Sequence, residues 1–254
     1  MSETLRKALG LPDQHHPYHD QRSIDIAFEV FAYVGGNALG NEVINYGDRG
    51  ELSSCTTHPQ EPDLVRKLTD DVRCVTDACI YEQKAFPLCK HVYVEGNHED
   101  RFRRYLRDKA PELWGITELH KLIGIDKQEN WHWIPYDHKQ KYNPLGTEIY
   151  IKHEPEGSSA KAALANAGVS HLYGHVHRND MATKMRLDGQ RIYAGSPGCM
   201  IDLEHKTFNY QKKNSQWGQG FHIIYLDESD GHYWIDTVEI KKGRAMYGGK
   251  VFKG

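Results

Sequence analysis

Residues 91–100 form a stretch that reads HVYVEGNHED. Its first half is a short apolar and β-branched run of strand length, and its second half is a polar cluster that opens with glycine. Open α/β sheets bind ligands in the crevice beyond the carboxyl ends of their strands. The stretch therefore predicts a strand that delivers Asn97 and His98 to such a crevice.

Three more strand-like runs end directly in polar residues. They are 42–46 before Gly47-Asp48, 148–152 before His153, and 169–173 before the tetrapeptide GHVH at 174–177. Loops that follow separate strands converge at one rim of an α/β sheet. We therefore expect these polar side chains to lie together at that rim.

Apolar residues recur at helical spacing in 21–34 and in 62–85, which predicts two amphipathic helices packed on a sheet. This alternation of helices and strands predicts an α/β protein. Further strands are predicted at 191–194, 221–226 and 233–240.

A chain of 254 residues with 39% hydrophobic content is long enough to bury one large core. We therefore predict a single domain over residues 1–254. Residues 111–146 have no clear period and contain Trp114, Trp131 and Trp133. We expect this segment to form a cap over the rim.

The formal net charge is -3, so the chain as a whole lacks the strong basic bias expected of a protein that coats nucleic acid, and only a local basic patch is left open. The first ten residues contain no apolar core of a signal peptide, and no stretch approaches the roughly 18 apolar residues of a membrane span. We expect a cytoplasmic protein with no membrane partner. Histidine is abundant, at 16 residues, and imidazole is the commonest metal ligand.

Five short motifs occur in order along the chain. They are Asp13-Gln14-His15, Gly47-Asp48, Gly96-Asn97-His98, His153 and Gly174-His175-Val176-His177. Together they resemble the calcineurin-like metallophosphoesterase superfamily, whose pattern is DxH, GDxxD, GNH followed by Asp or Glu, a lone His, and GHxH. The wording GNHEDRFRRY at 96–105 is also similar to small metallophosphoesterases of phages and bacteria.

The resemblance implies the fold and the cellular setting. The fold would be a four-layer α/β/β/α sandwich, in which two mixed sheets are flanked by helices. For a phage-encoded protein, the cytoplasm would be that of the host.

The resemblance also implies a site for two divalent metal ions. Mixed imidazole, carboxylate and amide ligands suit Mn²⁺, Fe or Zn better than Ca²⁺. We expect two Mn²⁺ ions, with Fe, Zn and Ni as alternatives. The implied ligands are Asp48 as the bridge, Asp13, His15 and His177 for the first ion, and Asn97, His153 and His175 for the second.

By the same resemblance, His98 protonates the leaving-group oxygen or positions the ester, and a carboxylate holds its imidazolium. In the family this carboxylate is the final Asp of GDxxD, whereas Glu51 stands at that position here. Glu99 or Asp100 could serve instead. If 47–51 is a shortened form of the family's GDxxDRG, Arg49 is a phosphate ligand and Glu51 has no role.

The chain departs from the family pattern in a second place. Family members carry a hydrophobic strand before DxH, whereas Arg6, Lys7 and Pro12 interrupt residues 5–12 here. Either this strand is short or the first metal ion is held less firmly. His16 and His19 lie beside the motif and are interpreted as polar loop residues.

Two further clusters each have two interpretations. The basic run at 101–109 could attract a polyanion, or it could be only a solvated helix face. The aromatic residues Trp131, Trp133 and Tyr136 could stack on a base, and packing in the core or cap is at least as good an interpretation.

The expected activity is hydrolysis of a phosphoester by hydroxide held between two cations, which also neutralise the phosphate oxygens. A phosphodiesterase or nuclease is favoured, so the expected partner is a phosphoester, a nucleotide or a nucleic acid. Protein Ser/Thr phosphatases carry Arg before GNHE and HGG at the lone His, where this chain has Glu95 and His153-Glu154-Pro155. The alternatives are a phosphomonoesterase and a non-catalytic relative that binds a partner.

Overall fold

The structure is a computed structural model that describes residues 5–59, 62–211 and 216–254. Helices and strands alternate over much of the described chain, so the predicted α/β class is confirmed. The strands are β1 (Leu5–Leu11), β2 (Glu42–Asn45), β3 (Lys90–Val94), β4 (Trp131–Ile134), β5 (Tyr150–Ile151), β6 (His171–Leu172), β7 (Asn179–Met185), β8 (Arg191–Pro197), β9 (Gln219–Asp227), β10 (Tyr233–Ile240), β11 (Ala245–Tyr247) and β12 (Lys250–Phe252). The α-helices are α1 (Gln21–Tyr33), α2 (Leu68–Ala85), α3 (Asp100–Lys109), α4 (Leu119–Leu122) and α5 (Ala160–Ala167).

Six strands form the larger sheet in the order β10-β9-β1-β2-β3-β4. Strands β1 to β4 run parallel, whereas β9 pairs antiparallel with β1, and β10 pairs antiparallel with β9. The register places Leu11 beside Asn45, and Asn45 beside Tyr93. Three parallel strands therefore end at the same level, and the loops that follow them leave from one edge.

The second sheet has the order β5-β6-β8-β7. Its first three strands run parallel, and β7 pairs antiparallel with β8. Both sheets are therefore mixed. Strands β11 and β12 form a separate two-stranded ribbon.

Apolar side chains pack the two sheets against each other. Ile44 and Val92 of the larger sheet share a buried cluster with Ile151 and Leu172 of the second sheet. Helices α1, α2 and α3 cover the opposite face of the larger sheet, and α5 covers the outer face of the second sheet through Leu164. The molecule is thus built as helices, sheet, sheet and helix.

The helix predicted at 21–34 is confirmed as α1, which begins where the Asp20 side chain accepts a hydrogen bond from the Arg22 backbone N–H. The helix predicted from residue 62 is wrong at its start, because α2 begins at Leu68 and a 3-10 turn precedes it. Val65 remains 66% exposed, so it does not extend the buried stripe of α2. Apolar spacing alone could not reveal that exposure.

Strand β1 is seven residues long and lies between β2 and β9 in the larger sheet. The idea of a short first strand is therefore wrong. Ala8 to Leu11 are buried, and the Arg6 guanidinium lies at the outer end, where it donates hydrogen bonds to the Gly40 carbonyl. Polar residues are tolerated because this end of the strand reaches the surface.

Residues 111–146 contribute to both the larger sheet and its helical cover. Strand β4 pairs with β3, and Leu119 and Ile123 pack beside Phe102 of α3. The single-domain prediction and the cap prediction stay predictions. Within the described residues, no helix combines the length and apolar character needed to cross a membrane.

Candidate metal centre

The loops that follow five parallel strands bring the predicted site residues together. Strands β1, β2 and β3 contribute from the larger sheet, and β5 and β6 contribute from the second sheet. The side chains carried by these loops are Asp13 and His15, Asp48 and Glu51, Asn97 and His98, His153, and His175 and His177. Each enters the contacts described below.

A first group consists of Asp13, His15 and His177, which are all buried. The Nε2 atoms of His15 and His177 lie 3.1 Å apart, and His177 Nε2 lies 3.3 Å from Asp13 Oδ1. One ligand atom from each residue falls within 4.8 Å of the others. This spacing and burial could hold a metal ion.

A second group consists of Asp48, His153 and His175, with Asn97 between them. His153 Nε2 lies 3.3 Å from Asp48 Oδ2 and 2.9 Å from Asn97 Oδ1, and His175 Nδ1 lies 3.0 Å from the same amide oxygen. Asp48 Oδ2 is also 3.8 Å from His15 Nε2 of the first group. The Asp48 carboxylate therefore lies between the two groups.

The hydrogen bonds behind two histidines prepare them for a cation. His15 Nδ1 donates to Glu51 Oε2 at 2.7 Å, and His153 Nδ1 donates to the Tyr46 carbonyl at 2.9 Å. With the proton held on Nδ1, the lone pair of a neutral ring lies on Nε2 and faces the cluster. Buried carboxylates and inward-facing imidazole nitrogens fit a divalent cation of borderline softness.

Backbone strain is concentrated at the same residues. Eight non-glycine residues of the described chain have positive φ, and five of them are Asp13, His15, Asp48, His175 and His177. Each such conformation costs of order 1–3 kcal/mol and persists only where surrounding contacts enforce it. Here the backbone N–H groups of Gln14 and His15 donate to the Asp48 carbonyl, which locks two loops together.

The glycine before each of two motifs is required by close approach. A Cβ atom on Gly96 would collide with the Asp48 carboxylate, and one on Gly174 would collide with the Asp13 carboxylate. The neighbouring chain can therefore pass directly behind each acid only where no side chain intervenes.

Glu99 is a support that the sequence interpretation misjudged. Its buried carboxylate accepts hydrogen bonds from the backbone N–H groups of Asp48, Gly50 and Gly96 at 2.8–3.0 Å, and from the Tyr93 hydroxyl at 2.9 Å. Burial and the nearby Asp48 charge raise its pKa above the usual value. Glu99 thus joins the loops after β2 and β3 and has no bond to His98.

His98 is held by Glu51, as the first of the three alternatives predicts. Its Nδ1 lies 3.2 Å from Glu51 Oε2 and 3.1 Å from the Glu51 carbonyl. Burial lowers the pKa of His98, but the charges of Asp48 and Glu51 outweigh burial and raise it above the usual value. Asp100, the third alternative, pairs with Arg103 instead.

Arg101 was not singled out by the sequence interpretation, although it belongs to the basic run. One guanidinium nitrogen donates to Glu51 Oε1 at 3.1 Å, and the other donates to His98 Nε2 at 2.9 Å. Arg104 and Arg107 of the same run lie at the surface. The sequence does not distinguish Arg101 from these two residues, because the contacts of each arginine depend on which side of α3 faces the site.

Arg49 points away from the cluster, so its interpretation as a phosphate ligand is wrong. Its guanidinium lies 2.9 Å from Glu82 Oε2, donates to the Ala78 carbonyl, and sits over the Tyr93 ring. The side chain is only 2% exposed. A buried arginine needs a carboxylate partner, and α2 supplies one.

His16 and His19 lie outside the two groups. Their rings stack on each other with centroids 3.9 Å apart, and His16 bonds to the Gln14 side chain. His16 is buried rather than solvated.

Comparison with known proteins leaves the family open. No protein-family model matches the chain, and no curated protein matches it.

We expect metal binding to release protons. Burial lowers the pKa of His153, but Asp48 and Asp13 outweigh it and raise the pKa to about 10, so this ring is protonated at neutral pH before a cation arrives. A ligating ring must be neutral, so affinity should fall about tenfold for each unit that the pH drops below that pKa. Calorimetric titration with Mn²⁺ in two buffers of different ionisation enthalpy measures the protons released. Identical heats in both buffers would contradict the expectation.

We also expect metal to stabilise the fold. A ligand at a hundred times its Kd adds about 2.7 kcal/mol to the free energy of unfolding. Thermal unfolding of chelator-treated protein should therefore shift upward by several degrees when Mn²⁺ is added, and Asp48→Asn should lose most of this shift. The matched control is Asp108→Asn, an exposed acid on α3 that should respond like the unmodified protein.

Proposed function

We propose that this protein is a phosphodiesterase of the calcineurin-like metallophosphoesterase superfamily that acts with two divalent metal ions. One observation carries the proposal. The Asp48 carboxylate lies between two groups of imidazole and carboxylate ligands, and His98 Nε2 lies 3.8 Å from the same carboxylate oxygen. A bridging acid with an adjacent general acid suits displacement at phosphorus.

The fold supports this family assignment. Two mixed sheets pack face to face with helices on both outer sides, which is the arrangement expected of the four-layer metallophosphoesterase sandwich. Fold alone does not fix an activity. The proposal therefore depends on the residues at the strand ends.

Two ions in this site would be held by the residues already described. Asp13, His15 and His177 would hold the first, Asn97, His153 and His175 the second, and Asp48 both. Mn²⁺ is the proposed metal, with Fe, Zn and Ni as alternatives, since the ligands mix nitrogen and oxygen. Two divalent ions held there would neutralise phosphate oxygens and lower the pKa of bound water.

His98 would donate a proton to the departing oxygen from Nε2, while Glu51 holds Nδ1 and so fixes the direction of the ring. Arg101 now donates a hydrogen bond to that same Nε2 atom. Nε2 cannot accept the hydrogen bond from Arg101 while it carries a proton of its own. Proton donation therefore requires the Arg101 guanidinium to shift, and the anionic oxygens of an entering ester give it a new partner.

The cleft beside His98 and Arg101 favours a diester over a monoester. Its volume is about 800 Å³, which leaves room for substituents on both sides of phosphorus. The Arg and Lys side chains that line it, Arg101 and Lys206, are already paired with Glu51 and Asp63. A monoester dianion would need additional positive charge, whereas a diester carries a single negative charge.

Hydrolysis of bis(p-nitrophenyl) phosphate tests the activity. We expect metal-stripped protein to be inactive, Mn²⁺ to restore turnover, and Asp48→Asn to remain inactive with Mn²⁺, Ni²⁺, Zn²⁺ or Mg²⁺. The diester should be cleaved faster than p-nitrophenyl phosphate. The opposite ranking would indicate a monoesterase, and inactivity on both substrates with every metal would contradict hydrolysis.

The leaving group tests the role of His98. General acid catalysis contributes about 10²–10⁴-fold, and it matters most where the departing oxygen is basic. His98→Ala should therefore lower kcat far more for diphenyl phosphate than for bis(p-nitrophenyl) phosphate, because p-nitrophenolate leaves without a proton. Arg101→Ala should mainly raise KM for both diesters. Equal losses on both substrates in His98→Ala would rule out proton donation by His98.

A further inference from the structure

A second cavity lies beside β4, at the opposite edge of the larger sheet from β10. Its volume is about 590 Å³, within the range of small-molecule sites. We name it the aromatic pocket, and its lining includes Glu95, Arg103, Trp114, His120, Trp133 and Tyr136. None of these residues belongs to the two ligand groups.

The aromatic pocket shares a wall with the metal centre. Tyr136 lines the pocket, and its ring centroid lies 6.3 Å from that of His153. Its hydroxyl donates to Glu154, the residue after His153. Glu95 directly precedes the Gly96-Asn97 loop. A molecule in the pocket is therefore one side chain away from the second ligand group.

One of the two carboxylate oxygens of Glu95, Oε1, is an acceptor that no described residue uses. Its side chain is 3% exposed, and Oε2 accepts hydrogen bonds from Arg103 at 2.6 Å and from the Tyr136 backbone N–H at 2.7 Å. Oε1 accepts no hydrogen bond from any residue that the structure describes. An unpaired carboxylate oxygen in the wall of a cavity can accept a hydrogen bond, so this atom is suited to an N–H group of a ligand.

The walls around Glu95 offer flat apolar faces. Trp133 contacts the rings of Tyr93 and His120, with centroids 4.6 Å and 5.3 Å away, and these contacts hold its ring in place. Trp114 is 50% exposed at the mouth of the pocket. Indole rings stack on heterocycles with little dependence on the identity of the base.

Trp131, by contrast, is buried against His91, so its packing interpretation is confirmed.

Charge argues against a phosphate group in this pocket. The Arg103 guanidinium is already paired with Glu95 and Asp100. Glu118 and Asp137 add negative charge to the lining. The pocket therefore suits a neutral ring that donates hydrogen bonds, while the phosphate binds elsewhere.

We propose that the aromatic pocket binds a nucleobase with an exocyclic amino group, and that the substrate is a nucleotide phosphodiester whose phosphorus lies at the metal centre. The part of this inference that concerns the phosphodiester substrate rests on the proposed function. The base would stack on Trp114 with Trp133 as a neighbouring wall, and its amino group would donate to Glu95 Oε1. Adenine and cytosine carry that amino group, whereas hypoxanthine and uracil carry a carbonyl oxygen in its place.

Binding of nucleosides tests the pocket without depending on hydrolysis. Adenosine, inosine, cytidine, uridine and ribose are titrated into the full chain by isothermal calorimetry, with and without Mn²⁺. We expect adenosine and cytidine to bind about tenfold more tightly than inosine and uridine at a pH well above 7, where Glu95 is ionised and repels the carbonyl oxygen, because burial raises the pKa of Glu95 to about 7. Ribose should not bind. Nucleoside affinities no better than that of ribose would overturn the proposal.

Two variants assign the binding to this pocket. Trp114→Ala should weaken adenosine binding about tenfold through lost stacking, and it should fold because the ring is half exposed. Trp234→Ala is the matched control, since this indole is 47% exposed on β10 at the opposite edge of the sheet. Equal affinities in unmodified protein and Trp114→Ala would place the binding elsewhere and refute the proposal.

Glu95→Gln tests the amino-group contact. The amide oxygen can still accept from Arg103, which leaves an amide N–H₂ group on the side of Oε1. The preference for adenosine over inosine should then vanish or reverse. An unchanged preference would show that Glu95 does not contact the amino group. Diester hydrolysis without nucleoside binding would refute the proposed nucleobase site and would leave the phosphodiesterase proposal intact. Nucleoside binding without diester hydrolysis would support the nucleobase site and contradict the phosphodiesterase proposal.

Discussion

The carboxylate of Glu99 is the interaction on which the site depends. It lies in the first turn after the Gly96-Asn97-His98 loop and gathers backbone N–H groups from two separate loops. Those N–H groups would otherwise be buried without partners, at a cost of about 1–3 kcal/mol each. By satisfying them, Glu99 fixes where Asp48 stands relative to Asn97. The position of Asp48 between two ligand groups follows from that constraint.

The rest of the site is assembled under strain that this framework absorbs. Asp13, Asp48 and His177 have positive φ in the loops that follow β1, β2 and β6. Such turns are unfavourable for residues with a Cβ atom. They are held by hydrogen bonds between loops, such as those from Gln14 and His15 to the Asp48 carbonyl. Five of the eight non-glycine residues with positive φ in the described chain belong to this site, which agrees with a functional role for them.

Electrostatics and shape divide the surroundings of the site into two regions. On one side, Glu51 links His15 to His98 and Arg101, and this side opens into the large cleft. On the other side, Tyr136 separates His153 from the aromatic pocket. A phosphodiester has two substituents, so a two-sided site matches its shape. In the proposed reaction, proton donation would take place in the first region, and the retained group would be recognised in the second.

Much of the site follows from the order of residues along the chain. Glycine followed by Asp48, Asn97 or His175 predicts a strand end that carries a ligand, because close packing of the loops excludes a side chain before the acid or imidazole. Parallel strands send their carboxyl ends to one edge, so these motifs meet there without further information. The α/β class and the helices α1 and α3 were also predictable, because the local residue pattern of each segment indicates a helix or a strand.

Tertiary structure alone decided between the alternatives. Glu51, Glu99 and Asp100 are equivalent acids in sequence, and only the path of α3 and of the loop after β2 shows that Glu51 contacts His98 while Glu99 supports the backbone. Arg49 and Arg101 are both arginines near motifs, yet one is buried against Glu82 of α2 and the other faces the cleft. The aromatic pocket depends on β4 pairing with β3. Sequence periodicity indicates which face of a helix or strand is buried, whereas the partner of a charged side chain depends on distances between elements far apart in the chain.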